Sequence, residues 1–171
     1  FRCPFLLLGF ILEQIFDKDL DKILHDQVFK SWEMMETRFG PVSVAVPTVR
    51  GVKAGSVHDP KAAILGTHAG SAGLFSTIKD LKIFLEHYLQ DEFAHGLSKN
   101  FSPLKDKERS LAWNLEGDWL DHTGYTGTFI MWNRIKQEAA IFLSNRTYDK
   151  DERAQWILDR NKIMDLIRKE E

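Results

Sequence analysis

Between residues 37 and 73 the chain carries Pro41, Pro47 and Pro60 together with six glycines. Proline fixes φ and removes a backbone donor, and glycine weakens both helix and strand, so no long regular element crosses this stretch. Within it, only Val42 to Val49 has the composition of a short strand. The remainder reads as a long loop that packs against something, and loops of this length are functional or disordered. The stretch therefore separates a helical beginning from a mixed second part.

The periodicity on either side is clear. Phe5 to Phe16 reads as helix, and a second helix is expected from Lys18 to Lys30, with Leu20, Ile23, Leu24 and Val28 at helical spacing. Asp17 or Asp19 is the expected cap. Ser76 is the candidate N-cap of a further helix whose stripe is Leu74, Ile78, Leu81, Leu85 and Tyr88. Residues 98 to 109 are polar and read as an exposed loop. Strand patterns follow at Ser110 to Leu115, Trp119 to His122, Thr126 to Trp132 and Ala139 to Ser144, with a turn at Asn133 to Lys136. The last element is a helix from Asp151 to Arg168. Trp156, Ile157, Ile163, Met164 and Ile167 form its apolar face, and Arg160 interrupts that face, so its head must find a partner or reach water. Helices, an irregular stretch, a helix, antiparallel strands and a terminal helix define an α+β arrangement. Two portions are expected within one unit: residues 1–109 as helical region with a long loop, and residues 110–171 as sheet and terminal helix.

Composition narrows the function classes. The formal net charge is −2 and the basic residues are scattered, so nothing favours nucleic acid or an anionic membrane surface. The apolar run Phe5 to Leu12 is too short to span a bilayer, which needs about 20 residues. No small-residue cleavage site follows it, and Glu13 and Asp17 come early for a signal peptide. It reads as a buried helix, apolar on all sides and expecting neighbours on all sides. The single cysteine, Cys3, permits no internal disulfide. His58, Asp59 and His68 match no common zinc spacing, so neither metal nor cofactor is expected. Trp32, Trp113, Trp119, Trp132 and Trp156 are assigned to packing by default.

Two segments are distinctive: Gly55-Ser56-Val57-His58-Asp59-Pro60-Lys61-Ala62-Ala63, continuing through His68-Ala69-Gly70-Ser71-Ala72-Gly73-Leu74-Phe75-Ser76-Thr77, and His122-Thr123-Gly124-Tyr125-Thr126-Gly127-Thr128. Together with the tail Ile141-Phe142-Leu143-Ser144-Asn145-Arg146, they resemble the class C-like serine β-lactamase family, which includes penicillin-binding DD-peptidases and esterases. The resemblance runs from Phe5 onward and implies a partial β-lactamase/transpeptidase-like fold. It also implies acyl transfer through an acyl-serine. His122-Thr123-Gly124 stands where the family has Lys-Thr-Gly or His-x-Gly. By resemblance the Tyr125 backbone N–H serves the oxyanion, Gly124 leaves room for substrate, and Thr123 and His122 offer polar groups to it. His58 is placed near the cleft. A histidine in place of lysine is mostly neutral at pH 7, so cation-dependent anchoring would weaken as pH rises through about 6.5.

The resemblance implies two further elements that this sequence does not supply. Formal Ser-x-x-Lys matches occur at Ser76–Lys79 and Ser102–Lys105, but 9 serines and 14 lysines give about 0.7 by chance. Ser76 reads as a helix cap and Ser102 precedes Pro103 in a charged loop, so neither is taken as the nucleophile. The family's tyrosine motif belongs just before Phe5, where Phe1-Arg2-Cys3-Pro4 stands, and Ser31-Trp32-Glu33-Met34 replaces a Pro-Leu-Gly-Met pattern. The expectation is a C-terminal, truncated part of a serine hydrolase, inactive alone, whose parent acts on a β-lactam, a D-Ala-D-Ala-like peptide or an ester. The alternative is a non-catalytic fragment that binds peptide or pairs with a missing N-terminal half, with self-association through the bared surface. The family is often extracytoplasmic, but the sequence assigns no compartment.

Overall fold

The computed structural model of the chain describes residues 3–66, 68–104 and 108–169. These group into two units, Phe1–Phe84 and Leu85–Glu171, with the division falling inside one helix. No helix among the described residues is long and apolar enough to cross a membrane.

The first unit begins with α1, Cys3–Phe16. The side chain of Cys3, and Phe1 and Arg2 altogether, lie outside the described residues. The chain reverses through Asp17, whose φ is 48°, into α2, Leu20–Leu24, which buries Leu20 and Ile23. The expected aspartate cap does not form. Asp19 stands at the N-cap, but its carboxylate pairs with Lys22 Nζ at 2.6 Å. The Leu20 N–H donates instead to the Glu13 carboxylate at 3.0 Å, so a residue of the preceding helix satisfies it. The helix expected to Lys30 is α-helical only to Leu24. His25–Phe29 is a π-helical turn, closed by the Lys30 N–H donating to the His25 carbonyl at 2.9 Å.

Val42 to Val49 forms no strand. Val44 and Val46 are 89% and 69% exposed, and the prolines at 41 and 47 remove two of the donors that a ladder needs. The short ladder of this unit is elsewhere: β1, Arg38–Phe39, pairs antiparallel with β2, Leu74–Phe75. A helix that the sequence reading did not assign, α3 at Pro60–Ile64, starts where Asp59 accepts from the Lys61 and Ala62 N–H groups, both at 3.0 Å. Pro60 at its first position needs no partner for a missing N–H.

Helix α4 spans Ile78–Gln90. Its cap is Thr77 rather than Ser76: the Asp80 N–H donates to Thr77 Oγ1 at 3.3 Å. Ser76 Oγ lies 2.7 Å from Thr37 Oγ1. Thr37 in turn donates to the buried Asp80 carboxylate at 2.8 Å, which also accepts from the Glu36 N–H at 2.8 Å. One carboxylate thereby ties the 36–37 segment to the first turn of α4. Leu74 and Ile78 are exposed, so the buried stripe begins at Leu81 and continues through Leu85 and Tyr88.

In the second unit, α5, Glu92–Gly96, was read neither as helix nor as loop from sequence; Asp91 caps it through the Ala94 N–H at 2.9 Å. A four-stranded antiparallel sheet follows in the order β3, Asn114–Glu116; β4, Trp119–Thr123; β5, Phe129–Asn133; β6, Glu138–Phe142. All four expected strands are present, two of them starting later than expected. Residues 110–113 form a turn in which the Ser110 N–H donates to the Trp113 carbonyl and Ala112 has φ 67°. Residues 126–128 belong to the turn between β4 and β5.

Helix α6, Arg153–Lys169, lies on one face of this sheet as its stripe demands. Ile163, Met164 and Ile167 pack with Trp119, Phe129 and Met131. The other face holds Trp132, which is fully buried and makes edge contacts with Tyr88 and Trp113. The packing assignment is thus met at Trp113, Trp119 and Trp132. Arg160 is half desolvated, and burial pushes its guanidinium below the ordinary value while Asp121 opposes that push. Arg168 reaches the buried Asp121 at 3.3 Å, and Asn114 Nδ2 donates to the same carboxylate at 2.7 Å. The architecture is α+β.

Because Thr77 rather than Ser76 holds the first turn of α4, Thr77→Ala should lower unfolding stability by about 1 kcal/mol. Urea denaturation followed by circular dichroism checks this.

Candidate active site

The candidate site is built on the β4–β5 hairpin. Strand β4 ends with His122 and Thr123, opposite Ile130 and Phe129. Alternation along the strand puts Thr123 on the same side as Asp121 and Trp119, the α6 face, and His122 on the Trp132 face. The turn closes tightly, with the Gly124 N–H donating to the Thr128 carbonyl at 2.7 Å and the Gly127 N–H donating to the Gly124 carbonyl at 3.3 Å. A Cβ on Gly124 would lie 2.5 Å from Thr128 Oγ1. Gly127 has φ 110° and faces Ser144 and Arg146 closely, so neither position admits a side chain without movement.

Tyr125 is at the tip. Its hydroxyl donates to Asp151 Oδ2 at 2.5 Å, and Arg146 pairs with the other carboxylate oxygen. The Arg146 guanidinium stands 4.8 Å from the centre of the Tyr125 ring, and that of Arg153 5.9 Å. The Arg146 N–H donates to the Thr126 carbonyl at 3.0 Å. The Tyr125 hydroxyl and then Arg146 hold the Asp151 carboxyl below its ordinary value. Sequence reading placed Arg146 only in a family-like tail and gave Asp151 no role beyond a helix start. The usable signal was an arginine four residues past the end of β6 with an acid five residues further on.

The His122 ring meets Trp113 edge-on, with centroids 6.4 Å apart. It keeps access to solvent, yet surrounding protein pushes its imidazole below 6.5; Asp121 pulls the other way and Arg109 adds to the depression.

The hairpin therefore gathers His122, Thr123, Gly124 and Tyr125. His58 belongs to the first unit, where its Nδ1 lies 2.9 Å from Thr48 Oγ1 beside the capping Asp59. Ser102 Oγ accepts from the Leu104 N–H at 3.1 Å in a local turn, and Lys105 lies outside the described residues. Among the described residues no group of three or more His, Cys, Asp or Glu is placed to hold a metal ion. His68 sits with Nδ1 3.8 Å from Asp21.

The Beta-lactamase family profile matches residues 3–162, so the chain belongs to that family. A protein of Escherichia coli O157:H7 named "Putative D-alanyl-D-alanine carboxypeptidase" is 24% identical over 84% of this chain and 44% of its own length. The chain thus spans less than half of the curated relatives it matches. Among solved structures, a Beta-lactamase/D-alanine Carboxypeptidase from Yersinia pestis superimposes with a TM-score of 0.62 at 16% identity, over 92% of this chain and 53% of the other. The octameric penicillin-binding protein homologue from Pyrococcus abyssi gives 0.62 at 14% identity, over 82% and 37%. These likenesses establish the β-lactamase/transpeptidase-like fold.

The depressed His122 pKa has a definite sign. A folded pKa below the unfolded 6.5 favours the neutral ring, so its contribution to stability is complete above 6.5 and is lost as pH falls through the folded value. A proton NMR titration of His122 should give a midpoint under 6.5, and His122→Gln should flatten part of the acid-side decline in stability.

Proposed function

We propose that this chain supplies the substrate-lining hairpin of a serine hydrolase that works through an acyl-serine, and that it lacks a working nucleophile of its own. The observation that carries the reading is the hairpin: an exposed Tyr125 directly after a glycine whose Cβ would meet Thr128, with two polar side chains at the strand end, and by resemblance the Tyr125 N–H as oxyanion donor. In acyl transfer such an N–H stabilises the developing oxyanion, a contribution of about 3 kcal/mol for one donor. Thr123 offers a hydroxyl to the substrate. His122, held neutral at pH 7 by its surroundings, acts as a hydrogen-bonding group rather than a cation. The substrate class is an amide or ester of the β-lactam or D-Ala-D-Ala-peptide type, the second suggested by the carboxypeptidase relatives. The reading assigns no step to His58.

The absence of a nucleophile is argued from the two serines with a lysine three residues on. The Ser76 hydroxyl is engaged with Thr37 one residue before the cap of α4, and that of Ser102 accepts from the backbone of its own turn. Neither is held at the start of a helix against a base, as activation requires. Treatment with a fluorescent β-lactam or a fluorophosphonate, followed by mass analysis, should give no serine adduct. An adduct on Ser76, lost in Ser76→Ala, would overturn this part of the reading.

A second reading, association without catalysis, is favoured by α1. Leu7, Leu8, Ile11 and Ile15 form an exposed apolar stripe within an arc of about 100°. A helix apolar on both faces expects cover on both. In light scattering the chain should self-associate at micromolar concentration, and Ile11→Gln with Ile15→Gln should shift it to monomer. A monomeric parent chain would remove this reading.

A further inference from the structure

Within the first unit, the residues around α2, the π-helical turn His25–Phe29, the 37–39 segment and His68 line a cleft of about 500 Å³. That volume lies in the range of small-molecule sites. The π turn itself supplies three residues of the wall, His25, Asp26 and Phe29. Such turns are rare, and where they occur they frequently belong to functional sites. The wall is part apolar and part charged. Phe29 is buried, and Phe39 lies against the His68 ring with centroids 5.5 Å apart. Of the cations, Lys18 is engaged by Asp26 at 3.4 Å and Lys22 by Asp19 at 2.6 Å. Asp26 also lies 3.2 Å from His25 Nδ1, while Asp21 accepts from the Lys22 N–H at 2.8 Å and stands 3.8 Å from His68 Nδ1. Arg38 lines the same cleft and has no acidic partner among the described residues.

We propose that this cleft binds a small organic monocarboxylate, with its carboxylate on Arg38 and its apolar body against Phe39 and Phe29. A guanidinium donates two parallel hydrogen bonds to the two oxygens of a carboxylate, and it is the residue type suited to that planar match. The phenylalanines give an apolar body the burial that a free inorganic anion cannot use. Asp21 and Asp26, on the same wall, set the charge of the ligand. One negative charge is matched by Arg38, whereas the second charge of a phosphate monoester would meet these carboxylates and be repelled. No residue of the second unit lines the cleft, so this binding does not depend on the hydrolase reading of the hairpin.

The test is an NMR titration of the intact 15N-labelled chain at neutral pH and fixed ionic strength, with benzoate, benzamide and phenyl phosphate as probes. Benzoate should shift the amides of His25, Phe29, Phe39 and His68 saturably. Benzamide has the same shape without the charge and should bind about tenfold more weakly, the loss expected for one charged hydrogen-bonding partner. Phenyl phosphate should also bind more weakly than benzoate. Arg38→Gln should weaken benzoate about tenfold and leave benzamide unchanged, with its spectrum as dispersed as the parent's, and Arg38→Lys should recover part of the loss. Absence of a saturable shift at these residues with benzoate overturns the proposal. Equal affinity of the parent chain for benzoate and benzamide overturns it too, and that comparison needs no variant. So does phenyl phosphate binding as tightly as benzoate, or benzoate binding unchanged in a folded Arg38→Gln chain.

Discussion

The register between β4 and β5 is the constraint on which the second unit depends. Five successive pairs, from Trp119 opposite Asn133 to Thr123 opposite Phe129, fix which side chains face α6 and which face Trp132. A slip of β4 by one residue would reverse every side chain of that strand. Trp119 would leave the α6 face, and the buried Asp121 would lose Arg168 and Asn114. The same register delivers His122 and Thr123 to opposite faces at the strand end, directly before the glycine at which the chain turns. The placement of the candidate site is therefore a consequence of core packing, and the polar residues add their chemistry to a position that apolar burial has already set.

Most of that sheet was legible in the sequence because its signals are strong and local. Alternation marks the strands, a helical stripe marks α6, and the hairpin residues stand together in one stretch. The flawed stripe at Arg160 was legible too: its guanidinium donates to Asn161, the next residue, at 2.9 Å, and Asp121 acts on it only through its charge. What could not be read depends on contacts between distant residues. The valines from 42 to 46 have strand composition but no neighbouring strand to pair with, and composition does not reveal that. The Leu20 N–H is satisfied by Glu13, seven residues earlier, where a local rule looks to the adjacent aspartate. The choice between Ser76 and Thr77 as cap turns on one position. It was settled by Asp80, which engages Thr37 and Glu36, 43 and 44 residues away along the chain, and draws Ser76 into the same polar cluster.

The candidate site divides in the same way. His122, Thr123, Gly124 and Tyr125 were found because they are contiguous. Arg146 and Asp151 were missed in their present role because their relation to Tyr125 exists only after β6 has paired with β5 and brought the following segment beside the turn. The glycines show the same dependence. The need for Gly124 can be guessed from a motif, but the need for Gly127 follows from Ser144 and Arg146 lying against it. Sequence patterns named the groups proposed to meet a substrate, and tertiary contacts show which groups hold them in place.

The electrostatics of the hairpin bear on what its ligand requires. The cation nearest the tip, Arg146, is engaged by Asp151 and by the Tyr125 ring, and the imidazole at the strand end is biased toward neutrality by burial and by Arg109. Under the proposed function, such a hairpin acts through directed dipoles, namely a backbone N–H, a hydroxyl and a neutral ring, rather than through an uncompensated positive field. Directed dipoles discriminate by geometry, whereas a free cation attracts any anion at long range. Under the proposed function, this arrangement suits a carbonyl whose oxygen gains charge during reaction better than a substrate that is already an anion. Under the same proposal, the His122 ring acts through one hydrogen bond where the resembled family often has lysine.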